Sequence, residues 1–202
     1  QPIHNEDETI WIVSNGEIYN YKDLRIDLEQ KGHRFYTKSD TEVVVHLYEE
    51  YGEDCVKSLR GMFAFAIWDE NRERLFLARD RLGIKPLYYI VNDRKLLFAS
   101  EVKSILQCEN IAREVNLEAL HYFLTFLYVP APQSMFKGIN KLPPGHTLTW
   151  TDGEVTIKEY WDLTFAGRRS QVAGRSGEDY TERVYSLLEE SVEMRLMSEV
   201  PL

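Results

Sequence analysis

Cysteine is scarce in these 202 residues: Cys55 and Cys108 are the only two, too few for a disulfide framework or a four-thiolate metal site. No Asn heads an Asn-x-Ser/Thr glycosylation acceptor, and the first residues lack the basic-then-apolar order of a signal peptide. A reducing cytoplasm is therefore the expected compartment. Long apolar runs are missing as well, and none approaches the roughly 20 residues of a membrane helix. Positive charge is in deficit: 24 Lys and Arg against 33 Asp and Glu leave a net charge of −9, which would repel a nucleic-acid backbone. The five His show no metal-ligand spacing, so no metal is expected here. A Gly-rich phosphate loop, a Ser-centred nucleophile elbow and a kinase signature are all absent. What remains is a globular domain, 44% hydrophobic and 28% charged, with small molecules or proteins as partners.

The residues that are present read as an α/β or α+β domain. Ile10 to Val13 is a short buried strand, Asn15-Gly16 a turn, and Ile18, Tyr21, Leu24 and Leu28 repeat with helical spacing. His33 to Thr37 reads as another short strand. Ser39-Asp40-Thr41-Glu42 has the capping-box spacing before a helix starting near Thr41. Met62 to Trp68, Leu75 to Ala78, Pro86 to Val91 and Leu96 to Ala99 follow as a meander of antiparallel strands. Val102 to Leu106 is a short helix, and Asn116 is the N-cap of a helix over Leu117 to Phe126. After the break at Pro143-Pro144-Gly145 comes a hairpin, His146 to Trp150 and Val155 to Trp161, turning at Thr151-Asp152-Gly153. Gly167 to Gly177 reads as a linker. Tyr180 to Leu196 then repeats with helical period as the start of a second domain. The chain starts at Gln1-Pro2 without Met and stops at Leu202 just after that helix, so both ends are expected to be cut.

Three places could carry chemistry, each with a plainer alternative. The Asn15-Gly16-Glu17 turn could aim a backbone N–H and a side-chain amide at one point, as an oxyanion requires, or be an ordinary Asn-Gly turn. Asp40 could hold a ligand ammonium group or cap the helix beside it. The segment Ala78 to Tyr89 (ARDRLGIKPLYY) could shape a site or be a solvated hairpin loop with surface ion pairs. Cys55 and Cys108 show no feature of a reactive thiol.

Taken in order, NGEIYNY at Asn15, SDTEVVVHLYEEYG at Ser39, LRGMFAFAIWDE at Leu59, LFLARDRLGIKPLYY at Leu75, LLFASEVKSIL at Leu96 and KLPPGHTLTW at Lys141 closely resemble the glutamine-hydrolysing asparagine synthetases. The resemblance extends into the closing EESVEMRLMSEVPL and covers essentially the whole chain. It implies an α+β, Ntn-hydrolase-like four-layer αββα sandwich with antiparallel sheets, incomplete at its amino terminus. The implied domains are a class II glutamine amidotransferase domain over residues 1–165, a linker over 166–177, and the first helix of an α/β synthetase domain over 178–202. In that family an N-terminal Cys attacks the glutamine amide, forms a glutamyl thioester and releases ammonia. The ammonia then attacks a β-aspartyl adenylate made from aspartate and ATP with Mg²⁺.

The resemblance further implies that Asn15 and Gly16 are the side-chain and backbone oxyanion donors. Gly16 and Glu17 help hold glutamine, and Asp40 binds its α-ammonium group. Arg79, Asp80, Arg81, Gly83 and Pro86 are expected only to shape the loop. Residue 1 is Gln, so no nucleophile is assigned within the chain, and ATP and Mg²⁺ are expected only in the remainder of a synthetase domain. On its own the chain is expected to be inactive. The expected partners are glutamine, with aspartate and ATP for the parent protein, and a homodimer is the candidate assembly. Two alternatives stay open: an amidotransferase with another carboxylate acceptor, and a non-catalytic glutamine-binding or interaction module.

Overall fold

The structure, a computed structural model, describes residues 1–164 and 177–196. The chain divides into two units, Gln1–Asp162 and Leu163–Leu202. The first contains strands β1 (Ile3–His4), β2 (Ile10–Ile18), β3 (Gly61–Asp69), β4 (Arg74–Arg79), β5 (Tyr88–Asn92), β6 (Lys95–Ala99), β7 (Asn140–Lys141), β8 (His146–Thr151) and β9 (Glu154–Glu159). Its helices are α1 (Tyr21–Gln30), α2 (Glu42–Tyr51), α3 (Val102–Ile105) and α4 (Leu117–Phe126). The second unit contributes α5 (Gly177–Arg195), on which Val184, Leu187, Leu188 and Val192 are exposed. The expected linker falls almost wholly outside the described residues.

All strand pairs are antiparallel, and they form two sheets with the orders β1-β2-β3-β4-β8-β9 and β6-β5-β7. Successive side chains on a strand face opposite ways, and this alternation separates the layers. Phe63, Phe65 and Ile67 of β3 pack with Leu28 of α1 and Val43, Val44 and Leu47 of α2. Ala64 and Ala66, on the other face of the same strand, join Leu77, Tyr89 and Leu148 between the sheets. On the far side of the small sheet, Tyr88, Ile90 and Leu97 pack with Ile105 of α3. The order is helix, sheet, sheet, helix, the α+β sandwich that the resemblance implies.

Several expectations need correcting. Asn15-Gly16 is not a turn: β2 runs unbroken through it, with Asn15 opposite Ala64 and Gly16 opposite Phe63, and the helix begins only at Tyr21. His33 to Thr37 is not a strand. His33 N–H donates to the Leu28 carbonyl, and side chains take the amides of Arg34, which donates to Glu6, and of Tyr36 and Thr37, which donate to Glu42, each of these three at 2.7 Å. Glu42 is fully buried in this role, so the predicted capping box does not form. The meander also breaks, because β4 pairs with β8 while β5 starts the second sheet. The hairpin's second strand ends at Glu159. Asn116 does cap α4, its Oδ1 accepting from Glu118 and Ala119 N–H.

The segment Ala78 to Tyr89 is no solvated hairpin. Asp80 is 1% exposed, and its carboxylate accepts from the N–H groups of Phe63, Leu82, Ile84 and Lys85 at 3.0 to 3.3 Å. Its carbonyl accepts from Gly83 and Gly145 N–H. Arg79 donates to the carbonyls of Lys85, Gly83 and Leu142, and Arg81 to those of Leu59 and Lys57. An unmet buried amide costs about 1–3 kcal/mol. Asp80→Ala, which strands four donors, is therefore expected to lower unfolding stability by at least about 3 kcal/mol in a denaturant titration.

Candidate active site

The site grows from one edge of β2. On a strand in an antiparallel sheet, backbone N–H groups point alternately to the two neighbours. Ser14 N–H donates to Gln1 Oε1 at 2.6 Å and Ile18 N–H to Asp40 Oδ2 at 2.7 Å, so both face away from β3. Gly16 lies midway between them and its N–H points off the same edge. Among the described residues, the short strand β1 pairs only with Trp11 and Ile12, and leaves this stretch of edge uncovered by the sheet.

Gly16 is there because nothing larger fits. Its φ is +153°, and a Cβ would stand 2.1 Å from the Met62 carbonyl oxygen. Gly61 on β3 faces the same constraint, with a Cβ 2.2 Å from the Glu17 carbonyl oxygen. The two glycines let the strands close up where the candidate side chains Asn15 and Glu17 emerge. Gly61 was not singled out from sequence; its place immediately before the apolar run of β3 was the available signal.

Asn15 and Glu17 share one face of β2. Asn15 lines a cleft of about 130 Å³ together with Val13, Ala64, Leu87, Phe98 and Ser100, and its Nδ2 is 3.5 Å from Ser100 Oγ. Ala64 and Ala66, being small, leave room for this cleft between the sheets. Asp40 arrives from the loop before α2 and does not cap it: the N-cap residue is Thr41, and Asp40 reaches back 22 residues to Ile18. Glu17 is held above the ordinary carboxylate range, first by burial and then by the neighbouring Asp40, with Lys85 opposing. The structure thus gathers Asn15, Gly16, Glu17 and Asp40 at one end of β2 and adds Lys85 from the Asp80 loop. Cys55 is buried beneath the larger sheet, and burial pushes its thiol upward; Cys108 is exposed.

A family model described as a glutamine amidotransferase domain matches residues 1–161. The chain belongs to this family. It is 41% identical over its full length to asparagine synthetase [glutamine-hydrolyzing] 1 of Bacillus subtilis, and 38% identical to amidase chry2 of Gibberella zeae. The chain spans about 31% and 29% of those proteins, respectively. Among solved structures, B. subtilis glutamine phosphoribosylpyrophosphate amidotransferase complexed with ADP and GMP aligns with a TM-score of 0.55 at 21% identity. That alignment covers 80% of this chain and 32% of the other, and supports the fold assignment.

The Glu17–Asp40 pair makes this amidotransferase domain sensitive to pH at a defined place. Because folding raises the Glu17 pKa, the native state binds more protons, and this group's stabilising contribution is lost as pH rises from the ordinary Glu value through the raised one. Asp40→Asn removes the neighbouring charge. The Glu17 carboxyl titration, followed by NMR, is expected to move to lower pH in that variant.

Proposed function

We propose that this domain hydrolyses the side-chain amide of glutamine to glutamate and ammonia, as part of a cytoplasmic glutamine-dependent asparagine synthetase in which the ammonia amidates aspartate. The observation that carries the reading is the meeting of an amide side chain, an outward backbone N–H and two carboxylates at one end of β2. Asn15 Nδ2 and Gly16 N–H are the donors for the oxyanion of the tetrahedral intermediate. Asp40, already fixed by Ile18 N–H, and the adjacent Glu17 supply negative charge for the α-ammonium group of glutamine. The nucleophile is the amino-terminal Cys that the family resemblance implies; a buried thiol such as Cys55 is a poor candidate.

Adenylation of aspartate with ATP and Mg²⁺ is assigned to a synthetase domain with its own phosphate loop. The 202 residues contain no such loop, so no step of that reaction is assigned to them. A second reading sends the ammonia to a different carboxylate, and the 38% identity along the whole chain to a relative not named an asparagine synthetase, amidase chry2, keeps it open.

In the full-length protein, Asn15→Ala is expected to slow glutamate release by about 10² to 10³, the usual cost of one oxyanion donor. Synthesis supplied with free ammonia should be preserved. Asp40→Ala is expected to raise KM for glutamine. Normal glutaminase turnover in Asn15→Ala would overturn the assignment, and a product other than asparagine would select the second reading.

A further inference from the structure

Away from β2's functional edge, four side chains far apart in sequence converge. Glu6 comes from the loop between β1 and β2, His33 from the segment after α1, and His46 and Glu49 from one face of α2. One donor atom from each lies within 4.8 Å of all the others. His46 Nδ1 is 2.8 Å from Glu49 Oε2 and 3.6 Å from Glu6 Oε2. His33 Nδ1 is 3.5 Å from Glu49 Oε2 and 3.8 Å from Glu6 Oε1. Four ligands around a tetrahedral zinc ion at 2.0–2.1 Å would stand roughly 3.3 Å apart.

The groups behind these atoms are also arranged. Asn5 Nδ2 donates to Glu49 Oε1 at 2.9 Å, Arg34 N–H to Glu6 Oε1 at 2.7 Å, and His33 Nε2 lies 3.2 Å from Glu50 Oε1. Such outer partners orient metal ligands, and a carboxylate behind an imidazole sets which nitrogen keeps the proton. With its proton on Nε2, His33 turns a lone pair on Nδ1 toward the carboxylates of Glu6 and Glu49.

His46 poses the decisive problem. It is fully buried, and its Nε2 has no hydrogen-bond partner among the described residues; the nearby Glu42 Oε1, at 3.8 Å, already accepts from Tyr36 N–H. If neutral His46 donates from Nδ1 to Glu49, a bare Nε2 lone pair faces a carboxylate. If the proton sits on Nε2, the Nδ1 lone pair faces two carboxylates instead. A cation among the four donor atoms takes the Nδ1 lone pair of each imidazole away from the carboxylates of Glu6 and Glu49 and balances their charge, leaving the His46 Nε2–H turned toward Glu42 Oε1 at 3.8 Å.

We propose that Glu6, His33, His46 and Glu49 form a four-coordinate site for a divalent transition-metal ion, Zn²⁺ by its ligand chemistry, which ties α2 to the β1–β2 loop and the segment after α1. Two imidazoles and two carboxylates suit zinc, and a site closed by four protein ligands is structural. This reverses the expectation from His spacing, because a single His46-x-x-Glu49 step on α2 is completed by residues from two other segments.

Equilibrium dialysis of the metal-stripped protein against Zn²⁺ alone is expected to give one ion per chain. His33→Asn and Glu6→Gln, both at partly exposed positions that should tolerate change, are each expected to weaken binding by at least tenfold. X-ray absorption of the bound zinc should report nitrogen and oxygen ligands without sulfur, and zinc should raise the Tm of the parent chain but not of the double variant. Absence of stoichiometric uptake, uptake that neither substitution alters, or sulfur ligation would each overturn the proposal. Hydrogen bonds among the four side chains, without an ion, would then account for the cluster.

Discussion

The buried carboxylate of Asp80 is the interaction on which the rest of the domain depends. A side chain with no access to water must find donors inside the protein, and Asp80 finds four, one on β3 and three in its own loop. Its backbone carbonyl then receives Gly145 N–H, which sets the entry into β8. One residue thus joins the middle of the large sheet, the crossing to the small sheet and the return strand. Arg79 and Arg81 complete the loop by spending their charged donors on carbonyls. Lys85 reaches the neighbourhood of Glu17 because this loop is held in place.

At β2 the same economy of space shapes the candidate site. Gly16 and Gly61 allow β2 and β3 to approach more closely than any side chain would permit, and the short β1 leaves the far edge uncovered. A strand edge is usually a hazard, since its unpaired amides invite other chains. Here Gln1 and Asp40 occupy two of the outward amides, and Gly16 presents the one between them. The raised proton affinity of Glu17 comes first from its burial and then from Asp40 beside it, and the same crowding of negative charge would welcome an ammonium group.

Several elements were legible without coordinates for definite reasons. The apolar run Met62 to Trp68 marked a strand covered on both faces, and Asn116 announced α4 through its capping chemistry. Asn15 and Asp40 stand out as candidates from their own residue types as well as by resemblance, while the plainer alternatives, a turn and a helix cap, are not what the structure shows. Those readings failed because the partners are distant: β3 makes Asn15-Gly16 a strand, and Ile18 draws Asp40 away from α2. His33 to Thr37 failed in the same way, since carboxylates elsewhere in the chain captured the amides that a strand would need.

What the sequence by itself determined is whatever depends on near neighbours or on the order of motifs: helical periods, strand alternation, one N-cap, the hairpin turns and the amidotransferase family. What only the tertiary structure decided is which groups meet across long separations. The division of the strands between the two sheets, Asp80 as a buried hub, the Gly16–Gly61 approach and the cluster of Glu6, His33, His46 and Glu49 all belong to that second kind. The physical reason is common to them. A buried polar group must be satisfied by whatever donor or acceptor the packed fold delivers, and no local pattern in the chain records which residue that will be.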